Sequence, residues 1–404
     1  MKPVIKQPAD RSGAPPADRA ALRRPALLLA LMALAAGIWT CGPKAVERSA
    51  QSVHPLWKRN FRGEVVALAA DAAAKLLVVA TREDTEGKGE NHLYALDENG
   101  TILWHLPLAR RVAGIAVAGD GSIVLAYLVD GALLAWGRHG GKRWESACIG
   151  IPEVSASGER IVCWSAGDED VGGMALEALN GKGRRLWSFD DPGGIWHMTL
   201  ADGGDVLAAV TLAGQVIVVN GKGRVLWKRP LSTQVGTVAI ASGGETRIAV
   251  GTGIEGESLA VYDLAGEEIW RATVPGGVDS IAFSRDAGFL VTGNNTVRGQ
   301  RIYVFNREGD LGWRFQLDRP AREPLRMQIS EEGHRVVAVL EEEGQPTLLV
   351  WDAHGDLTAR MRVGANIVDY ALARDGGSLA ALTGSDKIVY YRLGGGVAEP
   401  EAGP

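Results

Sequence analysis

At 404 residues the chain is long enough for two or three ordinary domains or one large repetitive one, and its net charge of −5, with no basic stripe, argues against nucleic-acid binding. Its 46% hydrophobic and 23% charged residues exclude whole-chain disorder. The 53 glycines, near twice the usual ~7% share, stand between short apolar runs and mark turns.

The first element is an export segment. Residues 1–24 are polar and basic, with Lys2, Lys6, Arg11, Arg19, Arg23 and Arg24. The uncharged run Ala26–Trp39 follows and ends at Thr40-Cys41. A basic region before an apolar core of roughly 7–15 residues is the pattern of a secretory signal. The run is short for a membrane span, which takes about 20 residues. Three fates stay open: lipidation at Cys41, retention as an uncleaved anchor, and release by cleavage after Ala33-Leu34-Ala35. Residues 1–41 are thus expected to be a basic arm with a signal or anchor, and residues 42–52 a tether. The expected location is exported and membrane-attached, on the periplasmic or outer-surface side.

Beyond the tether one unit repeats. Trp57, Trp104, Trp144, Trp187, Trp227, Trp270 and Trp313 recur every 40–47 residues, and Ala359 takes the same place 46 residues after Trp313. Four residues before each marker from Trp104 on stands Gly100, Gly140, Gly183, Gly223, Gly266, Gly309 or Gly355. Seven residues before stands Asp97, Asn180, Asn220, Asp263, Asn306 or Asp352, with Gly137 the exception. Asp or Asn followed by Gly is a hairpin turn, because the first bonds its own backbone and the second accepts positive φ. Each repeat holds three further strand signals. The innermost run from Val65–Ala70 to Val368–Ala373, with Glu153–Ser157 in the third repeat. Second and third strands such as Val206–Val210 and Val216–Val219 are apolar on both faces, as in a strand sandwiched on both sides.

Four-stranded units at this period predict a β-propeller. There are eight three-strand sets but seven trailing marker strands. Leu56-Trp57-Lys58-Arg59 is therefore expected to complete the last set and close the ring, removing two exposed edges. The predicted architecture is all-β: a single eight-bladed propeller over residues 53–395, expected as a monomer, with a disordered tail at 396–404.

The segments ALDENGTILWHL (residues 95–106), VVNGKGRVLWKR (218–229) and VYDLAGEEIWRA (261–272) resemble the tryptophan-docking repeat of the quinoprotein-like, or PQQ-like, β-propellers. That family includes PQQ-dependent alcohol dehydrogenases and the BamB-type outer-membrane assembly lipoprotein. The resemblance implies a rigid disc presenting loops to another envelope protein: a non-catalytic scaffold, with outer-membrane protein assembly as its setting. PQQ chemistry is not expected, because the family's dehydrogenases carry adjacent cysteines over the cofactor and this chain has no Cys-Cys pair. The alternative is a ligand-binding or enzymatic propeller using its central channel.

Candidate residues follow from this register. The marker tryptophans fill wedges between blades rather than stack on ligands. No two of His54, His92, His105, His139, His197, His334 and His354 have metal-ligand spacing on one element, so neither metal nor cofactor is expected. His197, Arg326 and Asp369 are the titratable residues expected at the channel. Connections between second and third strands vary in length and are often acidic. Asp84, Glu86, Asp168, Asp170, Glu255, Glu341 and Glu342 are expected on one face, where they would steer a basic partner. Three cysteines are too few for a disulfide scaffold. Cys148 and Cys163 read as two buried free thiols that hairpin register does not set opposite each other.

Overall fold

A computed structural model describes residues 53–83, 90–166, 174–191, 194–231, 236–241, 243–253, 258–321, 325–364 and 366–394. The basic arm, the run Ala26–Trp39 and Cys41 lie outside the described residues. Among the described residues no helix is long and apolar enough to cross a membrane.

The described residues form 32 strands, which sort into eight four-stranded antiparallel sheets. Blades 1 to 7 cover residues 64–108, 112–147, 149–191, 195–230, 236–272, 280–317 and 326–362, each with its strands a to d in chain order. Blade 8 takes strands a to c from residues 367–392 and its outer strand from Pro55–Asn60. There Trp57 lies opposite Tyr390, Lys58 opposite Val389 and Arg59 opposite Ile388. The expected closure by the N-terminal strand is present.

Period-2 alternation builds the core. In strand b of blade 1, Leu76, Val78 and Ala80 pack toward blade 2, while Leu77 and Val79 pack toward blade 8. Both faces of a middle strand are thus covered, which is why Val206–Thr211 is buried at every position. Eight apolar clusters result, one at each seam between neighbouring blades.

The tryptophan marker locks these seams. In the c–d turn, Asn180 Oδ1 accepts from the N–H groups of Lys182 and Arg184, and Asn220 and Asn306 repeat the pattern. The turn glycine has positive φ, +74° at Gly183, and the indole of the preceding blade lies on it. A Cβ on Gly183 would stand 2.6 Å from Trp144 Cδ2. The indole N–H then donates to the carbonyl two residues before the glycine: Trp144 to Gly181 at 3.0 Å, Trp104 to Arg138 at 2.8 Å, Trp57 to Glu98 at 2.9 Å. Trp187, Trp270 and Trp313 do the same. Trp227 departs from the rule: its Nε1 is buried without a partner among the described residues, while Arg229 donates to the carbonyl of the turn glycine Gly266 itself. Blade 8 is completed by two chain segments and has no c–d turn, so a tryptophan at position 359 would have no glycine to dock on. The site holds a buried alanine, Ala359, packed with Tyr391 and Leu393.

One strand begins elsewhere than expected. Strand a of blade 3 is Ile149–Val154, not Glu153–Ser157. Gly150, at φ +99°, and Pro152 hide it from a propensity reading, and the register shifts between Ile149 and Glu153.

Candidate interaction face and central channel

Among the described residues the a–b turns are joined by backbone hydrogen bonds at seven of the eight seams, all but that between blades 4 and 5. Ala72 donates to Gly119, Asp120 to Ala156, Ala156 to Asp202, Gly243 to Arg285, Arg285 to Glu331, Glu331 to Arg374 and Arg374 to Ala72, at 2.6–2.9 Å. These bonds set all a–b turns on one face of the disc. Antiparallel pairing then puts the b–c hairpins and the loops entering each blade on the other, the loop face.

The residue after the first turn position is small in blades 1, 2, 3 and 5 (Ala72, Gly119, Ala156, Gly243) and charged in blades 4, 6, 7 and 8 (Asp202, Arg285, Glu331, Arg374). Arg374 Nη1 donates to Asp202 Oδ2 at 2.7 Å, with Nη2 bonded to Oδ1. Blades 4 and 8 are opposite in a ring of eight, so this pair spans the channel. Arg285 lies 3.8 Å from the same carboxylate and bonds Glu331. Four charges of alternating sign form a floor under the channel at the a–b face. Sequence reading misses it, although the same turn position in eight aligned repeats carries the signal.

Above the floor the inner strands carry further titratable groups. His197 Nδ1 accepts from Val238 N–H of blade 5 at 3.3 Å, which leaves the ring proton on Nε2, and burial lowers its pKa. Arg326 donates to the Val368 carbonyl at 2.7 Å and lies 3.6 Å from Asp369. Burial raises the pKa of Asp369. Glu153, on the inner strand of blade 3, is not among the expected channel residues, although the expected strand Glu153–Ser157 contains it. Burial, offset in part by the Leu200 N–H, pushes its carboxyl up to about 7.

The loop face is apolar where the hairpins are short. In blades 1, 2, 3, 4 and 8 the register shifts near the start of strand a. Such a bulge re-aims the extra residue. Ile151, Trp196 and Val368 lie at these positions and are exposed, Trp196 by 56%. Val129, Leu212 and Val297 are exposed in the b–c hairpins of blades 2, 4 and 6. The a–b and c–d turns carry one exposed large apolar residue, Leu264, among the described residues, and seven more are exposed on the outer d strands, among them Ile102 and Leu311 directly after their turns.

Of the seven acidic candidates, Asp84, Glu86, Asp168, Asp170 and Glu255 lie outside the described residues. Glu341 and Glu342 are on the blade 7 hairpin, and both are engaged. Glu342 is half-buried, with Arg360 Nε at 3.1 Å. Glu341 N–H donates to Gln300 of blade 6 at 2.9 Å, and the residue lines a cavity of about 540 Å³ with Arg326, Pro346, Ile367 and Val368. Cys148 and Cys163 are free and buried, as expected, but they share one cluster, because strand a of blade 3 starts directly after Cys148.

Residues 89–250 match the family profile described as outer membrane protein assembly factor BamB. No curated protein sequence matches the chain significantly. Among solved structures, Sqt1 from Chaetomium thermophilum bound to the N-terminus of the ribosomal protein L10 superposes with a TM-score of 0.65 at 13% identity, covering 84% of this chain and 100% of that one. The C-terminal WD40 domain of Sif2 gives 0.65 at 13% identity over 86% and 100%. BamB from Moraxella catarrhalis gives 0.60 at 14% identity over 84% and 99%. At these identities the structural likeness speaks for the fold alone.

Proposed function

We propose, from the match of residues 89–250 to the BamB-type profile and from the eight-bladed fold, that the chain is a non-catalytic scaffold whose loop face holds another envelope protein. The observation that carries this reading is the asymmetry of the disc. Six large apolar side chains are exposed on the loop face, four of them (Val129, Ile151, Trp196, Leu212) on consecutive blades 2 to 4, against one in the turns of the opposite face among the described residues, the remaining seven being on the outer d strands. Exposed apolar patches on a rigid disc mark interaction sites. The acidic groups at the channel and in the longer hairpins favour a partner segment that is apolar with basic residues. The Sqt1 complex supports this use of the architecture, and the BamB profile supports outer-membrane protein assembly as the setting, with the N-terminal segment as the membrane attachment.

Photo-crosslinking residues at Leu212 and Ile151 should trap one partner of defined mass, while the same group at Glu332 on the turn face should not. Equal capture from both faces, or none, removes the reading. Attachment is tested separately: Cys41→Ala should abolish metabolic lipid labelling. A wild-type chain that stays in membranes without taking up lipid would instead be held by an uncleaved anchor.

A second reading has its own observation. Glu153, His197 and Asp369 are on the inner strands of blades 3, 4 and 8, and Trp196 is exposed on the same strand as His197. That set suits a small cationic ligand. Ligand binding lost in Glu153→Gln, with the Leu212 crosslink unchanged, would favour it.

A further inference from the structure

The seam closed by the N-terminal strand carries a cluster that the fold does not need. Strands b and c of blade 1 end side by side, with Glu83 opposite Glu90 and Thr81 opposite His92 in register. Residues 81, 83, 90 and 92 share the sheet face turned to blade 8, together with Tyr94. Like charges directly opposite on one face are destabilising unless something neutralises them. Glu83 is half-buried and is met by Arg62 Nε at 3.1 Å, from the link between the closing strand and blade 1. Glu90 is exposed and lies 3.7 Å from His92 Nε2.

Ligand atoms of Glu83, Glu90 and His92 all fall within 4.8 Å of one another. Tetrahedral bonds of about 2.0–2.2 Å set ligand atoms roughly 3.4 Å apart, so side-chain adjustments of about 1 Å gather the three around one ion. The second ring nitrogen is already placed. His92 Nδ1 lies 3.0 Å from Nε2 of His105, which stacks on Tyr94 at 4.4 Å. If Nδ1 carries the proton and donates to His105, Nε2 keeps its lone pair toward the carboxylates. A metal-ligating histidine is usually oriented in this way by a partner on its other nitrogen. A separate observation points to the same place. Thr81 is fully buried across from His92, and its hydroxyl has no partner among the described residues.

From this geometry we infer that Glu83, Glu90 and His92 form a site for a divalent transition cation of the zinc type, with His105 as the positioning residue. An imidazole with two carboxylates suits zinc, nickel or copper better than calcium or magnesium, which prefer all-oxygen shells. In the metal-free protein Arg62 competes for Glu83. Metal binding displaces it and ties strands b and c together at the ring-closing seam.

The test is calorimetric titration of tag-free, chelator-stripped full-length protein with zinc chloride. One site with a micromolar dissociation constant is expected, and a thermal midpoint that rises with zinc. Glu90→Gln, at an exposed position that cannot upset the fold, and His92→Ala should each weaken binding tenfold or more. His105→Ala should weaken it about 10–100-fold while leaving the stoichiometry unchanged. Arg62→Ala should tighten it, since the competing cation is gone. Calcium chloride should give no heat. Absence of zinc binding in the wild type, or variants at positions 90 and 92 that titrate like it, overturns the site. Tightening absent in Arg62→Ala overturns the competition.

Discussion

Replacing Gly355 by alanine isolates what the tryptophan lock contributes. Gly355 has φ +86°, and a Cβ there would stand 2.6 Å from Trp313 Cγ and 2.7 Å from Cδ2. Holding an L-residue in the left-handed region costs about 1–2 kcal/mol. The ring must also move, which costs a further ~1–3 kcal/mol of overpacking. It strains the indole bond to the Ala353 carbonyl, 3.2 Å long and worth about 1 kcal/mol net. The total is roughly 4 kcal/mol. Gly344, in the same blade, supplies the control. Its φ is +78°, but a Cβ placed there would meet nothing within 4 Å. Gly344→Ala should therefore cost only the left-handed strain, about 1–2 kcal/mol. Urea titrations followed by far-ultraviolet circular dichroism measure both. In Gly355→Ala/Trp313→Ala the ring that clashes is gone, so the double variant should lose less than the sum of the singles by about 1.5 kcal/mol or more. Equal costs at 344 and 355, or additive singles, would refute docking as the reason for glycine at this turn.

Three further outcomes are expected. Trp57→Ala removes a ring stacked on Tyr390 at 5.3 Å and its bond to Glu98, so it should cost about 2–4 kcal/mol, whereas exposed Leu56→Ala should stay near 0.5 kcal/mol; similar urea midpoints would contradict closure by this strand. Glu153, at about 7 in the folded chain against about 4.3 unfolded, keeps its proton in the fold where the unfolded chain has lost it, so stability should fall as pH rises through that window. Glu153→Gln should flatten the fall, with a melting temperature near wild type at about pH 4.5 and higher at about pH 8; parallel curves would show that the carboxyl titrates normally. Asp202→Asn leaves Arg374 and Arg285 facing each other across the channel, but these side chains are partly exposed, so the cost should stay below about 1 kcal/mol and shrink as sodium chloride is raised. A loss that salt does not change would mean packing, not charge, holds the channel floor.

The amino-acid order determined by itself everything that repeats. Seven tryptophans at one period, the Asp/Asn-to-Gly turns and the doubly apolar middle strands demand four-stranded blades stacked face to face. The surplus of one three-strand set demands closure from the other end of the chain. Each of these is a local rule written many times, so an error in one copy, such as the blade 3 strand hidden by Gly150 and Pro152, does not change the count. What occurs once needed the tertiary structure. Asp202 and Arg374 are 172 residues apart and meet because blades 4 and 8 are opposite in the closed ring. Glu83, Glu90, His92 and His105 come from three strands, and Arg62 reaches them from the closing link. The turn glycines look like φ-driven choices in sequence, and the neighbouring blade adds the second reason, an indole 2.6–2.9 Å from any Cβ placed there. Ala359 breaks the tryptophan series because the blade it faces is made of two chain segments and has no turn to receive a ring. Periodicity specifies a repeating local geometry, whereas contacts across the ring depend on how many copies close it and on which blades that closure brings face to face.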